Sequence, residues 1–533
     1  MTRLFIVFLL LTSHWCRAQE SLLLLKANKI ITCDALNTTY KWVLLKDGII
    51  KRLGNGAFKT NKKVKTIVYD GVIYPGFIDA HCHFAAYALD QYKCNLYNTR
   101  SFKEIVDKLK AYEIDNKRAY IYGNGWNQYD WDDPTLPNSK QLDTLFPNKP
   151  VILKRIDGHT ILCNKKALEL LRLTKIDNIT YKNLLELDKN GVATGIIKED
   201  LVEKLDLLIS KQLPLKNNAT LIAMEQYFFK NGIGGLVECG IDSTTYALEQ
   251  ELYRKGQLKI PNYYFTKYGF IPDNRQNKGD NFKFKGIKVF LDGTLGSKTA
   301  CLLHNYINTS SKGTLLVDTN RLDTISILCY KNKWQLAVHA IGDSANRIAL
   351  NTLGKYSINK DLRWRIEHAQ VVDSSDFKLF NTYSIIPSVQ PTHAISDHKW
   401  VVNMLGNESL ETAYQYKKLL NSAKWMALGT DYPVEDINPI ATFYSIVFGN
   451  GIKNKDNEMI IDTISRVDAL KGMTIWAAKS VFEENNIGSI EIGKKANFTI
   501  LSTDLLTDNQ DKIKNTIVVS TIVNGKEVYK KRK

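Results

Sequence analysis

Covalent cross-links contribute little to this chain. It has eight cysteines in 533 residues and no C-x-x-C pair. Beyond Cys16 the other seven (33, 82, 94, 163, 239, 301 and 329) form an odd set with irregular spacing. That pattern excludes a disulfide framework and predicts mostly buried thiols. Long apolar runs are missing too. After the first residues nothing approaches eighteen unbroken apolar positions, so no transmembrane segment is expected in the mature chain. Short-period repeats and low-complexity tracts are absent, which speaks against a structural or adhesive array. The formal charge is +17, yet lysine is scattered (NKKVKT at 61–66, YKKRK at 529–533) and forms no arginine-rich, aromatic-interleaved stripe. A basic solvated surface follows, with no nucleic-acid partner. A composition of 44% hydrophobic and 24% charged residues is ordinary for a globular protein and excludes wholesale disorder.

The opening MTRLFIVFLLLTSHWCRA combines a basic residue, a short apolar run and a small residue at Ala18. It reads as a cleaved secretory signal over 1–18, implying a periplasmic or secreted protein. Ser13-His14-Trp15 is too bulky for lipoprotein processing at Cys16.

Histidine is scarce, with nine in the chain, yet GFIDAHCHF at 76–84 places two side by side. On a strand, His81 and His83 face one way and Cys82 the other. Two such imidazoles can share a metal ion; a hydrogen-bonded core pair is the plainer alternative.

Eight apolar, strand-like segments separate helical patterns: 78–83, 234–240, 261–269, 287–293, 336–342, 365–370, 385–391 and 426–431. This predicts a (β/α)8 barrel with an insertion of about 150 residues after the first strand. Short strands with Asp-Gly and Gly-Asn turns at both chain ends predict a small β domain built from the two termini. The expected organisation is a signal at 1–18 and a β-sandwich from 19–75 and 485–533. The barrel occupies 76–484, with its insertion at about 95–230.

Barrel active sites lie at the carboxyl ends of the strands, where His81, His83, His339, His368, His393 and Asp431 fall. Six of the eight histidines beyond residue 18 lie there or in the insertion's RIDGH. His304 and His398 are left as structural or exposed. In the fourth strand Ile287, Val289 and Leu291 share one face, so Lys288 points into the barrel. A buried ammonium is costly unless it is paired or neutralised. Lys288 is therefore either an ion-pair partner of Asp292 or Glu238, or a neutral amine that takes up carbon dioxide as a metal-bridging carbamate.

GVIYPGFIDAHCHF, RIDGHTILCNKKAL, KVFLDGTLGSKTA, VHAIGDSAN, RIEHAQ, SVQPTH, LGTDYP and IGSIEIGKKANF, in that order, resemble the amidohydrolase superfamily. The likeness is closest to its YtcJ-like branch (amidohydrolase family 3), which includes N-substituted formamide deformylases. It covers residues 22 to 525. It implies the barrel with a composite β-sandwich and two divalent metal ions, zinc being favoured. His81 and His83 would bind one metal and His339 and His368 the other. A carboxylated Lys288 would bridge them, and Asp431 would be ligand and proton shuttle. Arg155, Asp157, His159 and His393 would contact substrate.

The implied activity is hydrolysis of a C–N bond in an amide, formamide or cyclic amide of a small-molecule substrate, by metal-bound hydroxide. Two alternatives stay open: a non-catalytic metal-containing binding protein, and an ester-type hydrolase. A homo-oligomer is compatible with either. Three positions depart from the family pattern. Thr430 replaces serine at a position expected to pack outward, Asn497 replaces an acid in the sandwich, and Glu238 stands where relatives often carry aspartate. Trp126, Tyr129 and Trp131 either hint at an apolar substrate moiety or pack locally.

Overall fold

The computed structural model describes residues 22–532, apart from 62, 86–92, 117–118, 171–184, 200, 203–217, 274–280 and 450–460. The expected signal at 1–18 lies outside the described residues.

The eight predicted segments form one eight-stranded parallel sheet in chain order. Its strands are β1 (Phe77–Cys82), β2 (Ile233–Ile241), β3 (Asn262–Lys267), β4 (Phe282–Phe290), β5 (Gln335–Ala340), β6 (Arg365–His368), β7 (Ile386–Val389) and β8 (Ala427–Leu428). They read as apolar runs because a barrel strand is covered on both faces. The odd residues of β4 and the even residues of β5, such as Val289 and Val338, join the core shared with the helices. Their alternates face inward. Between these strands the helix Thr319–Asn332 buries Leu322, Ile325, Ser326 and Cys329 on one stripe. Asp318 caps its start by accepting from Arg321 N, and Lys333 ends it in a left-handed conformation. β4 approaches β5 so closely at Gly286 that a Cβ there would collide with the backbone of Gln335.

The first and last strands close the ring. Asp431 N donates to His81 O at 2.7 Å and His83 N to Tyr432 O at 2.7 Å, with a parallel bridge between Cys82 and Tyr432. Thr430 does not pack outward as expected. It is buried in this seam, where its backbone N and Oγ1 both donate to the Asp79 carboxylate, at 3.0 and 2.6 Å.

Both chain ends build a seven-stranded sheet, in which Lys65–Pro75 lies between Leu22–Ile31 and Phe498–Leu501. Leu25, Val43, Ile73, Phe498 and Ile522 fill its core. Asn497 stabilises the turn beside it by accepting from Asn524 N at 2.7 Å.

The insertion holds a six-stranded sheet of its own, running from Leu185–Leu187 through Thr160–Cys163 and Val151–Arg155 to Cys94–Asn95. Trp126 and Trp131 belong to its core, so they pack locally. The seven cysteines beyond residue 18 are all unpaired, in line with the absence of a disulfide framework. Among the described residues no helix is long and apolar enough to cross a membrane.

Candidate metal centre and active site

At the carboxyl ends of β1, β4, β5, β6 and β8 the predicted ligands come together. His81 and His83 leave β1 on the same side, and Cys82 joins the outer core. Asp431 Oδ1 lies 3.3 Å from His81 Nε2 and 3.1 Å from His83 Nε2. His81, His368 and Asp431 each present a ligand atom within 4.8 Å of one another. The His339 ring lies 4.5 Å from that of His368.

Strand alternation does not deliver His368. Ile366 packs in the outer core, and period two would return His368 to that side. Left-handed backbone at His368 (φ 75°) and Ala369 (φ 44°) breaks the alternation and turns the ring into the mouth. Asp431 is left-handed as well (φ 58°). Strain of this kind costs about 1–3 kcal/mol per residue and concentrates at functional sites.

The hydrogen bonds fix the tautomers. His81 Nδ1 donates to Glu367 Oε2 at 2.6 Å, and Arg365 pairs with the same carboxylate. His368 Nδ1 donates to Gln390 Oε1 at 2.8 Å, and His339 Nε2 to Gly293 O at 3.1 Å. Each ring thus spends one N–H on an outer partner and keeps a bare nitrogen, the arrangement that orients metal-ligating histidines. His81 Nε2 therefore faces Asp431 Oδ1 as acceptor against acceptor, with Lys288 Nζ 3.4 Å from the first and His83 Nε2 3.1 Å from the second. A cation resolves that opposition. Burial, reinforced by the Lys288 charge, pushes His81 down to about 4. Burial also drives His339 and His368 well below the ordinary histidine range. Burial would raise Glu367, but Arg365 and His81 hold it well below the usual carboxylate range. This donor set of neutral imidazoles and a carboxylate suits a divalent metal.

Lys288 is 1% exposed, with Nζ 3.4 Å from His81 Nε2. The two acids that could have paired with it are occupied elsewhere. Asp292 accepts from the backbone N of Cys301, Ile341 and Gly342, and Glu238 from Ala85 N and Asn262.

The insertion forms a wall of the site. Arg155 is 3% exposed and its donors are engaged with Gln128, Asp157 and Asn127. Asp157 Oδ2 also accepts from Thr294 Oγ1 and Ser297 Oγ, both at 2.8 Å, tying the insertion to the loop after β4. Tyr129 stacks on Trp400, ring centroids 4.8 Å apart, and donates to Gly296 O. These side chains are committed to one another, whereas two histidines keep a nitrogen for the cleft. His393 Nδ1 accepts from Gln370 Nε2 at 3.1 Å, so its proton is on Nε2, which is unpartnered and 3.8 Å from Asp431 Oδ2. His159 rests 5.4 Å from the His339 ring, its Nδ1 held by Glu199 at 2.8 Å. Burial alone would lower His159, but Glu199 and Asp157 outweigh it and the group is raised. His304 and His398 stand apart, at Glu408 and the Ile395 carbonyl.

The match to the amidohydrolase family model runs over residues 69–529. The chain belongs to the amidohydrolase family. Over its length it is 29% identical to Protein LONG AFTER FAR-RED 3 of Arabidopsis thaliana, covering 90% of this chain and 84% of that protein. It is 26% identical to the putative amidohydrolase YtcJ of Bacillus subtilis, over 92% and 96% of the two chains. It is 22% identical to the N-substituted formamide deformylase of Arthrobacter pascens, over 95% and 98%. The crystal structure of an uncharacterized metal-dependent hydrolase from Pyrococcus horikoshii superposes with a TM-score of 0.73 at 24% identity, over 92% and 99%. The expected barrel with its extra β domain is thus the fold of this amidohydrolase.

Several site residues escaped the sequence reading: Glu367, Arg365 and Glu199. The first two carried a signal, since a charged pair inside the apolar segment RIEHAQ must be buried and therefore paired. Glu199 had none, as it follows the strand Ala193–Lys198, which was not expected.

Proposed function

We propose that this amidohydrolase hydrolyses a C–N bond of a small amide, formamide or cyclic amide. The observation that carries the reading is the convergence of His81 Nε2, His83 Nε2 and His368 on the Asp431 carboxylate, with the outer hydrogen bonds of His81 and His368 turning acceptor nitrogens toward it. His81, His83, His339, His368 and Asp431 would hold two divalent ions, zinc by preference, with Lys288 as the carbamate between them. Bound there, the ions would activate water and polarise the scissile carbonyl.

The chain's own groups do the rest. Asp431 takes the proton of the attacking water and delivers it to the leaving nitrogen, so that water adds across the bond and an acid and an amine depart. His393 Nε2–H donates to the carbonyl oxygen as negative charge develops, and His159 approaches the same oxygen from the insertion. Arg155 and Asp157 serve the substrate indirectly, by holding the loop that carries His159. The reading includes export after cleavage of residues 1–18, with the barrel at 76–484 and the β domain from 19–75 and 485–533.

Metal content of the purified mature protein after incubation with zinc and bicarbonate, followed by a panel of N-acyl amines, tests this. About two metals per chain and turnover of at least one amide are expected, with Asp431→Asn losing about 100-fold to 10,000-fold in rate while metals are largely retained. Unchanged turnover in that variant refutes the proton transfer. Absence of metal refutes the reading as a whole.

A further inference from the structure

We infer that Glu199 is a positioning residue that holds His159 with its Nε2 toward the substrate, so that the insertion completes the active site through a Glu–His pair. The inference rests on the hydrolase reading above. The two residues are bound twice: Glu199 Oε2 lies 2.8 Å from His159 Nδ1, and Glu199 N donates to His159 O at 3.0 Å. Glu199 accepts from Nδ1, and as an imidazolium facing that carboxylate the ring also carries a proton at Nε2, the nitrogen left free to donate to the substrate oxygen. The ring then borders the mouth, 5.4 Å from His339 and 6.0 Å from Phe290.

Local folding does not account for this arrangement. The Glu199 side chain is wholly buried, its Oε1 has no partner, and its backbone is left-handed at φ 53°. Each feature is unfavourable for a glutamate. Together they press the carboxylate against Gly293, where any Cβ would collide with it. The carbonyl of Gly293 is the one that receives His339 Nε2. The strand that leads to Glu199 pairs with Thr160–Cys163, directly after His159, so the sheet of the insertion sets both partners in register. His393 is oriented by a neutral amide, Gln370. His159 alone of the two cleft histidines has a carboxylate behind it.

The test is a double-mutant cycle in the full-length metal-loaded enzyme, using an amide that the wild type hydrolyses. Glu199→Gln keeps the shape and an acceptor oxygen, so a merely structural role would leave kinetics unchanged. We expect kcat to fall about 10-fold to 100-fold with KM within about 3-fold, because the contact strengthens as charge develops. His159→Ala should lose at least as much, and adding Glu199→Gln to it should change little more. Full activity in Glu199→Gln, or the same further loss in the His159→Ala background, overturns the assignment.

If the wild type hydrolyses no amide, the functional reading has failed, and the positioning claim is then judged by crystallography. In Glu199→Ala the His159 ring should leave its place beside His339. A ring that stays refutes it.

Discussion

Removing the carboxylate of Asp157 tests whether the insertion is clamped to the barrel as the geometry indicates. That carboxylate accepts from Arg155, Thr294, Ser297 and the backbone N of His159. Burial would raise it, but Arg155, then His159 and the two hydroxyls, bring it from 3.8 down to about 2. A lowered acid contributes stability that is fully present above its unfolded value and is lost as pH falls through the folded one. The window is therefore from about pH 4 down to about pH 2, and the shift corresponds to about 2 kcal/mol. Asp157→Asn keeps an oxygen and forfeits the charge, so it should cost about that much. Asp157→Ala strands a buried guanidinium and two hydroxyls, and should cost about 3–5 kcal/mol.

Urea unfolding at pH 7 measures the global term. Hydrogen exchange of 127–131, 155–160 and 294–300 shows whether the clamp opens first. The Asn variant should also lose the acid-limb dependence between pH 4 and 2. An alanine variant within about 1 kcal/mol of wild type, with unchanged exchange and a raised KM, would refute this reasoning and return Asp157 to direct substrate contact.

Two further outcomes are expected beside those already given for Asp431 and Glu199. Lys288→Ala should lower both bound metal and turnover, with partial rescue by a short carboxylic acid. Metal content equal to wild type would remove Lys288 from the ligand set. Thr430→Val should destabilise the protein by about 1–3 kcal/mol, because it leaves the buried Asp79 one donor short in the β1–β8 seam. A melting temperature unchanged from wild type would show that seam to be slack.

Much of the barrel was legible because its strands are buried on both faces and read as apolar runs of the right spacing. Boundaries were less so. β4 begins at Phe282, where lysines alternate with aromatics and mask the run, and β8 is reduced to Ala427–Leu428 because the chain turns at once toward Asp431. In the site, histidine scarcity made the concentration at strand ends visible. It could not show that His368 needs a left-handed backbone to reach the mouth, since φ leaves no trace in an L-residue code. The sheet of the insertion was hidden for a different reason. Cys94–Asn95 and Leu185–Leu187 are too short to carry a period, and the register of Ala193–Lys198 with Thr160–Cys163 depends on partners in three dimensions. Glu199 was lost with it.

The closure of β1 against β8 also has a consequence for biogenesis. His81 and Asp431 are separated by almost the whole barrel in sequence, yet each completes the other's surroundings through the backbone bond Asp431 N to His81 O. The terminal sheet repeats the pattern, with Lys65–Pro75 waiting for Phe498–Leu501. Contacts of such separation form late. A nascent chain that has not yet reached β8 would present β1 as an open edge and hold the histidines without Asp431, exposed to aggregation. On the proposed reading, the full set of metal-binding side chains would come together only once the last barrel strand has closed the ring.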